Sequence, residues 1–111
     1  MSMTDRELLE LAAKAAGYRD FSEGNFAAYG KYSVGPDEQG RWIDWNPLHD
    51  DGDALRLAVK LGILILTARG FAVANSRDSG GTVERLLSDP DPHAATRRAI
   101  VRAAAAIGSA A

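Results

Sequence analysis

Within five residues the chain places His49, Asp50, Asp51 and Asp53, all side-chain types that ligate divalent cations or move protons. Carboxylates and an imidazole this close together raise two chemical possibilities, a metal that activates water and a general acid–base pair. The spacing argues against both. A calcium loop needs further oxygen ligands and a glutamate well beyond its glycine, and a zinc site draws its ligands together from separate elements. Helix capping accounts for the same residues without an ion. Asp50 or Asp51 can accept hydrogen bonds from the free N–H groups of a first helical turn, and the charge of Asp53 suits the positive end of the helix dipole. His93 falls in the first turn of a different predicted helix, and no sequence signal pairs it with His49. On this reading the chain has no catalytic, cofactor-binding or metal-binding residue to assign, and no cofactor is implied.

Two other groups invite a functional reading. Arg98 and Arg102 share one helical face at i, i+4, with Arg97 beside them, a pattern that can meet phosphates or an acidic partner. Three arginines without interleaved aromatics fit a solvated face paired with acidic residues better, so nucleic acid is not the expected partner. The stretch Ser76-Arg77-Asp78-Ser79-Gly80-Gly81 holds serines but neither a nucleophile elbow nor a phosphate-loop lysine, and reads as a loop.

The elements that position these residues follow from the pattern around them. Pro47 has no N–H and drives Asn46 toward extended backbone, so a strand containing Trp45 ends there and a helix opens behind the acids. On that helix Leu55, Ala58, Val59 and Gly62 make an apolar stripe, Arg56 and Lys60 form a like-charged pair toward water, and Gly62 supplies a left-handed stop. An earlier helix opens at the capping box Thr4-Asp5-Arg6-Glu7, turns Leu8, Leu11, Ala12 and Ala15 inward with Leu9 widening the face, and stops at Gly17. Residues 18–30 show no sustained period and read mostly as loop.

Residues 28–34 and 41–45 are rich in aromatic and β-branched side chains on either side of a Gly-Pro turn, which predicts a hairpin. Alternation puts Trp45 with Ile43 on the core side and leaves Trp42 nearer solvent. Residues 63–67 predict a central strand covered on both faces, paired through a tight 68–70 connection with a strand at 71–75. Residues 82–87 read as a further strand in preference to a helical turn. Asp91 caps a last helix with Pro92 at its first position, Thr96, Ile100, Ala103 and Ile107 facing inward and Gly108 ending it.

Composition narrows the class. The chain has 111 residues, 13 basic against 15 acidic side chains, and no cysteine. That length suits one domain spanning 1–111. Without cysteine there are no disulfides, no thiolate metal sites and no cysteine nucleophile. The charge balance lacks the basic footprint of a protein dominated by phosphate contacts. The N-terminus lacks the basic and apolar regions of a signal peptide, and the longest apolar run, 61–66, is far short of the ~20 residues a membrane helix needs. A soluble cytoplasmic protein without a membrane partner is the expectation.

Three segments, TDRELLELAAKAAGY at 4–18, WNPLHDDGDALRLAVKLGI at 45–63 and DPHAATRRAIVRAAAAIG at 91–108, together resemble the phage ABA sandwich domain family, small proteins of bacteriophages and prophages. They cover about half of the chain, in the expected order. The resemblance implies an α+β fold with about three helices packed on the faces of an antiparallel sheet of three to five strands, and a bacterial host cell as the setting. It carries over no catalytic residues. Residues 20–40 and 69–87 depart from the family pattern, as does 103–106, where alanines stand in place of an acidic residue. The function expected is that of a phage accessory protein that binds another protein or itself. The alternatives are a divalent-metal enzyme built on His49 to Asp53 and a weak nucleic-acid binder built on Arg98 and Arg102.

Overall fold

Each helix starts where the sequence supplies acceptors for its first free N–H groups, and the strands fill the intervals. A computed structural model describes residues 3–23, 32–36, 39–68, 71–76, 80–85 and 91–110. Among these residues lie α1 (Asp5–Ala15), β1 (Asp20–Glu23), β2 (Tyr32–Gly35), β3 (Ile43–Asp44), α2 (Asp51–Leu61), β4 (Leu64–Ala68), β5 (Phe71–Ser76), β6 (Gly80–Arg85) and α3 (Pro92–Ala110). The class is α+β, as the sequence predicts, and every strand pairing is antiparallel. The strands are shared between two three-stranded sheets, ordered β1-β2-β3 and β4-β5-β6. A single apolar cluster draws on both sheets and all three helices, from Leu9 and Val34 to Trp45, Leu57, Ala74 and Val101.

The predicted caps are present. The Thr4 hydroxyl accepts from the Glu7 N–H at 3.1 Å, and the Glu7 carboxylate accepts from the Thr4 N–H at 3.1 Å. The Thr4 N–H foremost, and then the Thr4 hydroxyl, which donates to the same carboxylate at 3.0 Å, hold the Glu7 carboxyl below its usual pKa. Gly17 follows the C-cap with φ 89°, a left-handed conformation that favours glycine. The buried face of α1 is Leu8, Leu9, Ala12 and Ala13, turned slightly from the expected one. Pro92 opens α3, and the Asp91 carboxylate accepts from the His93 N–H at 2.9 Å.

Gly108 does not end α3, which continues to Ala110. The residue is buried, and a Cβ there would overlap the Leu11 carbonyl oxygen and come within 2.9 Å of the Leu11 carbonyl carbon. Its role is therefore the close approach of α3 to α1, with Ala104 and Ala105 nearby in the same buried, small-residue helix. α3 is the hub of the molecule, packing against α1, α2, β5 and β6.

In the first sheet Phe21 stands opposite Val34, and Val34 opposite Ile43. These side chains pack with Tyr32 against the core, the Phe21 and Tyr32 rings stacked with centroids 5.4 Å apart. β1 lies in a stretch that reads mostly as loop, because four residues with polar ends carry no period; only its pairing with β2 makes it a strand. The β2–β3 hairpin is present, shorter than predicted, and residues 28–31 of it lie outside the described residues. Trp45 is buried and meets Tyr18 edge-on at 6.1 Å, while Trp42 is half exposed, as alternation predicts.

Two expectations are corrected in the second half. Among the described residues β4 is an edge strand, not a central one: β5 is the middle of its sheet, and Leu64 and Leu66 are 65% and 57% exposed. Ile65, one residue out of phase with them, packs on the core. An apolar run is compatible with burial on both faces but does not supply the second layer. On α2 the inward stripe is Ala54, Leu57, Ala58 and Leu61, and Leu55 and Val59 are exposed. Both stripes have helical spacing, and packing on α3 selects the one with two leucines. The 76–81 stretch contributes Ser76 to β5 and Gly80 and Gly81 to β6, its residues 77–79 lying outside the described ones; β6 realises the predicted strand as far as Arg85.

Candidate functional site

The 44–56 segment is built by Asn46. After β3 the Trp45 N–H donates to the Tyr32 carbonyl at 3.0 Å, and Asn46 is buried beside the fully buried Pro47. The Asn46 side-chain oxygen accepts from the Leu48 N–H at 3.2 Å and lies 3.2 Å from His49 Nδ1. Its carbonyl accepts from the N–H groups of His49 and Asp50 at 3.0 and 2.9 Å. A short polar side chain before a proline organises such a turn locally.

The acids divide the remaining work. Asp50 is the N-cap of α2, its carboxylate accepting from the Asp53 N–H at 3.3 Å. Asp53 reaches back with one oxygen to the Asn46 N–H at 2.9 Å and holds the Arg56 guanidinium with the other at 2.7 Å. That contact raises the Arg56 pKa further above its ordinary value. Asp51 does not cap; it turns toward α3, where Arg97 binds it at 2.6 Å and His93 Nδ1 lies 3.5 Å away. The Arg97 hydrogen bond holds the Asp51 carboxyl below its usual pKa. Arg97 also donates through Nε to the Leu48 carbonyl at 2.9 Å, so the two helix N-termini are tied together.

Two cavities flank this segment. One, of about 520 Å³, is lined by Tyr32, Asp44, His49, Asp50, Asp53 and Arg56. Burial, and then the charges of Glu23 and Asp5, raise the Tyr32 pKa. The other, of about 410 Å³, lies between α2, β4 and α3 and holds Asp51, His93 and Arg97 at its polar end and Leu55, Ile65 and Ile100 along its apolar side. His49 and His93 thus line different cavities. Among the described residues no group of three or more His, Cys, Asp or Glu side chains converges as a metal cage. The carboxylates of Asp50, Asp51 and Asp53 are each engaged by a backbone N–H or a guanidinium, which leaves the segment an electrostatic clamp on two helix ends.

The arginines of α3 follow the same logic. Arg98 binds Asp5 at 3.1 Å and so pins α3 to the start of α1, and Arg97 is committed to Asp51 and Leu48. Sequence reasoning missed Asn46, Arg56 and Arg97 as the partners of the acids. Asn46 before a proline and Arg56 three residues after Asp53 are local signals, whereas Arg97 lies 46 residues from Asp51 and needs the tertiary fold.

Fold and clamp together define an α+β protein whose acidic segment is structural. No helix among the described residues is long and apolar enough to cross a membrane. Comparison with protein-family models, curated proteins and solved structures finds no match.

Proposed function

We propose that the protein acts by protein–protein contact, assembling with a second copy of itself through the open edge of β4, as an accessory protein of a phage or prophage in the bacterial cytoplasm. The observation that carries this is an edge strand, Leu64–Ala68, with no charge or proline along it and two exposed leucines on its outer face. Monomeric proteins guard such edges with lysine, proline, bulges or covering loops, since unpaired N–H and C=O groups template further strand pairing.

A second copy fits the strand. Antiparallel two-fold pairing centred on Leu66 sets Leu66 against Leu66, Ile65 against Thr67 and Leu64 against Ala68, keeps the leucines on one face and brings no like charges together. The apolar surface continues around the edge, where Leu55 of α2 shares the 410 Å³ cavity with Ile65 and Thr67. The phage setting rests on the resemblance of the three sequence segments. The metal-enzyme and nucleic-acid readings gain no support from side chains already bound to one another.

Sedimentation across the micromolar range tests the reading. The expected result is a reversible dimer that Leu66→Lys converts to a monomer with unchanged helical circular dichroism. A wild-type chain that stays monomeric throughout, or a dimer indifferent to Leu66→Lys and Leu64→Lys, overturns it.

A further inference from the structure

The outer face of the first sheet carries a row of polar side chains that neither the helix clamp nor the β4 edge uses. Ser22 is opposite Ser33 across β1 and β2, and Ser33 is opposite Asp44 across β2 and β3. With Trp42 they line a cavity of about 360 Å³, inside the ~300–1,000 Å³ range of small-molecule clefts. The Ser33 residue is only 7% exposed, and its hydroxyl finds no hydrogen-bond partner among the described residues. Buried hydroxyls are ordinarily bonded, so one that lines a cavity unpaired calls for a ligand or water. The Asp44 carboxylate is exposed and likewise makes no ion pair or hydrogen bond among the described residues.

Trp42 is positioned by Gly35. A Cβ on Gly35 would lie 2.9 and 3.0 Å from the indole Cδ2 and Cγ, so only glycine lets the ring settle on the strand. The indole nevertheless remains half exposed, at 51% for the residue. The Asp44 carboxylate in the lining disfavours phosphates and carboxylates. A ligand that satisfies hydroxyls needs to donate and accept, and one that covers an indole needs an apolar face.

We propose that Ser22, Ser33, Asp44 and Trp42 form a binding site for a neutral saccharide, its C–H face on the Trp42 indole and its hydroxyls on Ser33 and Asp44. A sugar hydroxyl accepts from Ser33 and donates to Asp44, and pyranose C–H groups cover the ring. An alkylammonium ion would also suit Asp44 and Trp42 but has no acceptor for the serine hydroxyls. The site lies on the opposite sheet from β4 and is independent of self-association.

The test is an amide NMR titration of the full chain with the common hexoses and N-acetylhexosamines as monosaccharides and trisaccharides, with tetramethylammonium as the competing probe. At least one saccharide should saturate shifts in β1–β3. Trp42→Ala should abolish that response, and Ser33→Ala should weaken it at least tenfold while melting like the wild type, because its hydroxyl holds nothing in the fold. Overturning results are no response to any saccharide, a response to tetramethylammonium alone, or saccharide binding that survives both substitutions.

Discussion

Asp53 shows how much one carboxylate can do without chemistry. One oxygen closes the turn onto the Asn46 N–H and the other fixes Arg56, so the residue joins the end of β3 to the first turn of α2. Removing it leaves the buried Asn46 N–H without its acceptor, and charged hydrogen bonds of this kind contribute about 1.5–3 kcal/mol. Asp53→Ala should lower the unfolding free energy obtained from a urea titration by about that amount, while magnesium, calcium or zinc leaves the wild-type melting temperature unchanged. Metal-induced stabilisation that Asp53→Ala removes would contradict the clamp. Asp51 and Glu7 give the same logic a pH dependence. Arg97 lowers the Asp51 pKa and Thr4 lowers that of Glu7, so the unfolded chain binds more protons than the folded one across the acid range. Stability contributed by these groups is present above their unfolded values near pH ~4 and is lost as pH falls through the folded ones. Asp51→Asn should flatten the acid limb of a stability–pH curve; an unchanged limb would remove Arg97 as the cause.

At the level of elements, the contact of α1 with α3 depends on the absence of a side chain at Gly108. Gly108→Ala drives a methyl group into the Leu11 carbonyl, and overpacking of this kind costs ~1–3 kcal/mol or more. Chemical denaturation should show that loss despite the better helix propensity of alanine, and a neutral or stabilising result would mean that the helices do not meet there. Gly108 also marks what the sequence hides. A glycine near a helix end reads equally as a stop or as a close approach, and only the partner helix decides. Thr4, Glu7, Gly17, Asp50, Gly62 and Pro92 were legible because capping is local, set by residues two to four positions apart. The inward face of α2 was not, because Leu55 with Val59 and Leu57 with Leu61 have the same spacing. β1 was hidden because four residues carry no pattern until a partner strand lies beside them.

For the whole molecule the α+β class and the three helices were legible, and the division of the strands into two sheets was not. β4 is apolar enough to sit in the middle of a sheet and sits at an edge, with the leucines that suggested burial turned outward. Within the candidate site the cap stood open between Asp50 and Asp51 and only Asp50 fills it; the turn of Asp51 to Arg97 and the outer row of Ser22, Ser33 and Asp44 needed long-range pairings that periodicity does not reveal. The exposed β4 edge is the feature on which the proposed function turns, and amide hydrogen exchange of residues 64–68 across the association range addresses it most directly. Alternate β4 amides should gain protection as protein concentration rises, while those of β1–β3 stay constant. Exchange of the β4 amides that is equally fast at every concentration would contradict the account.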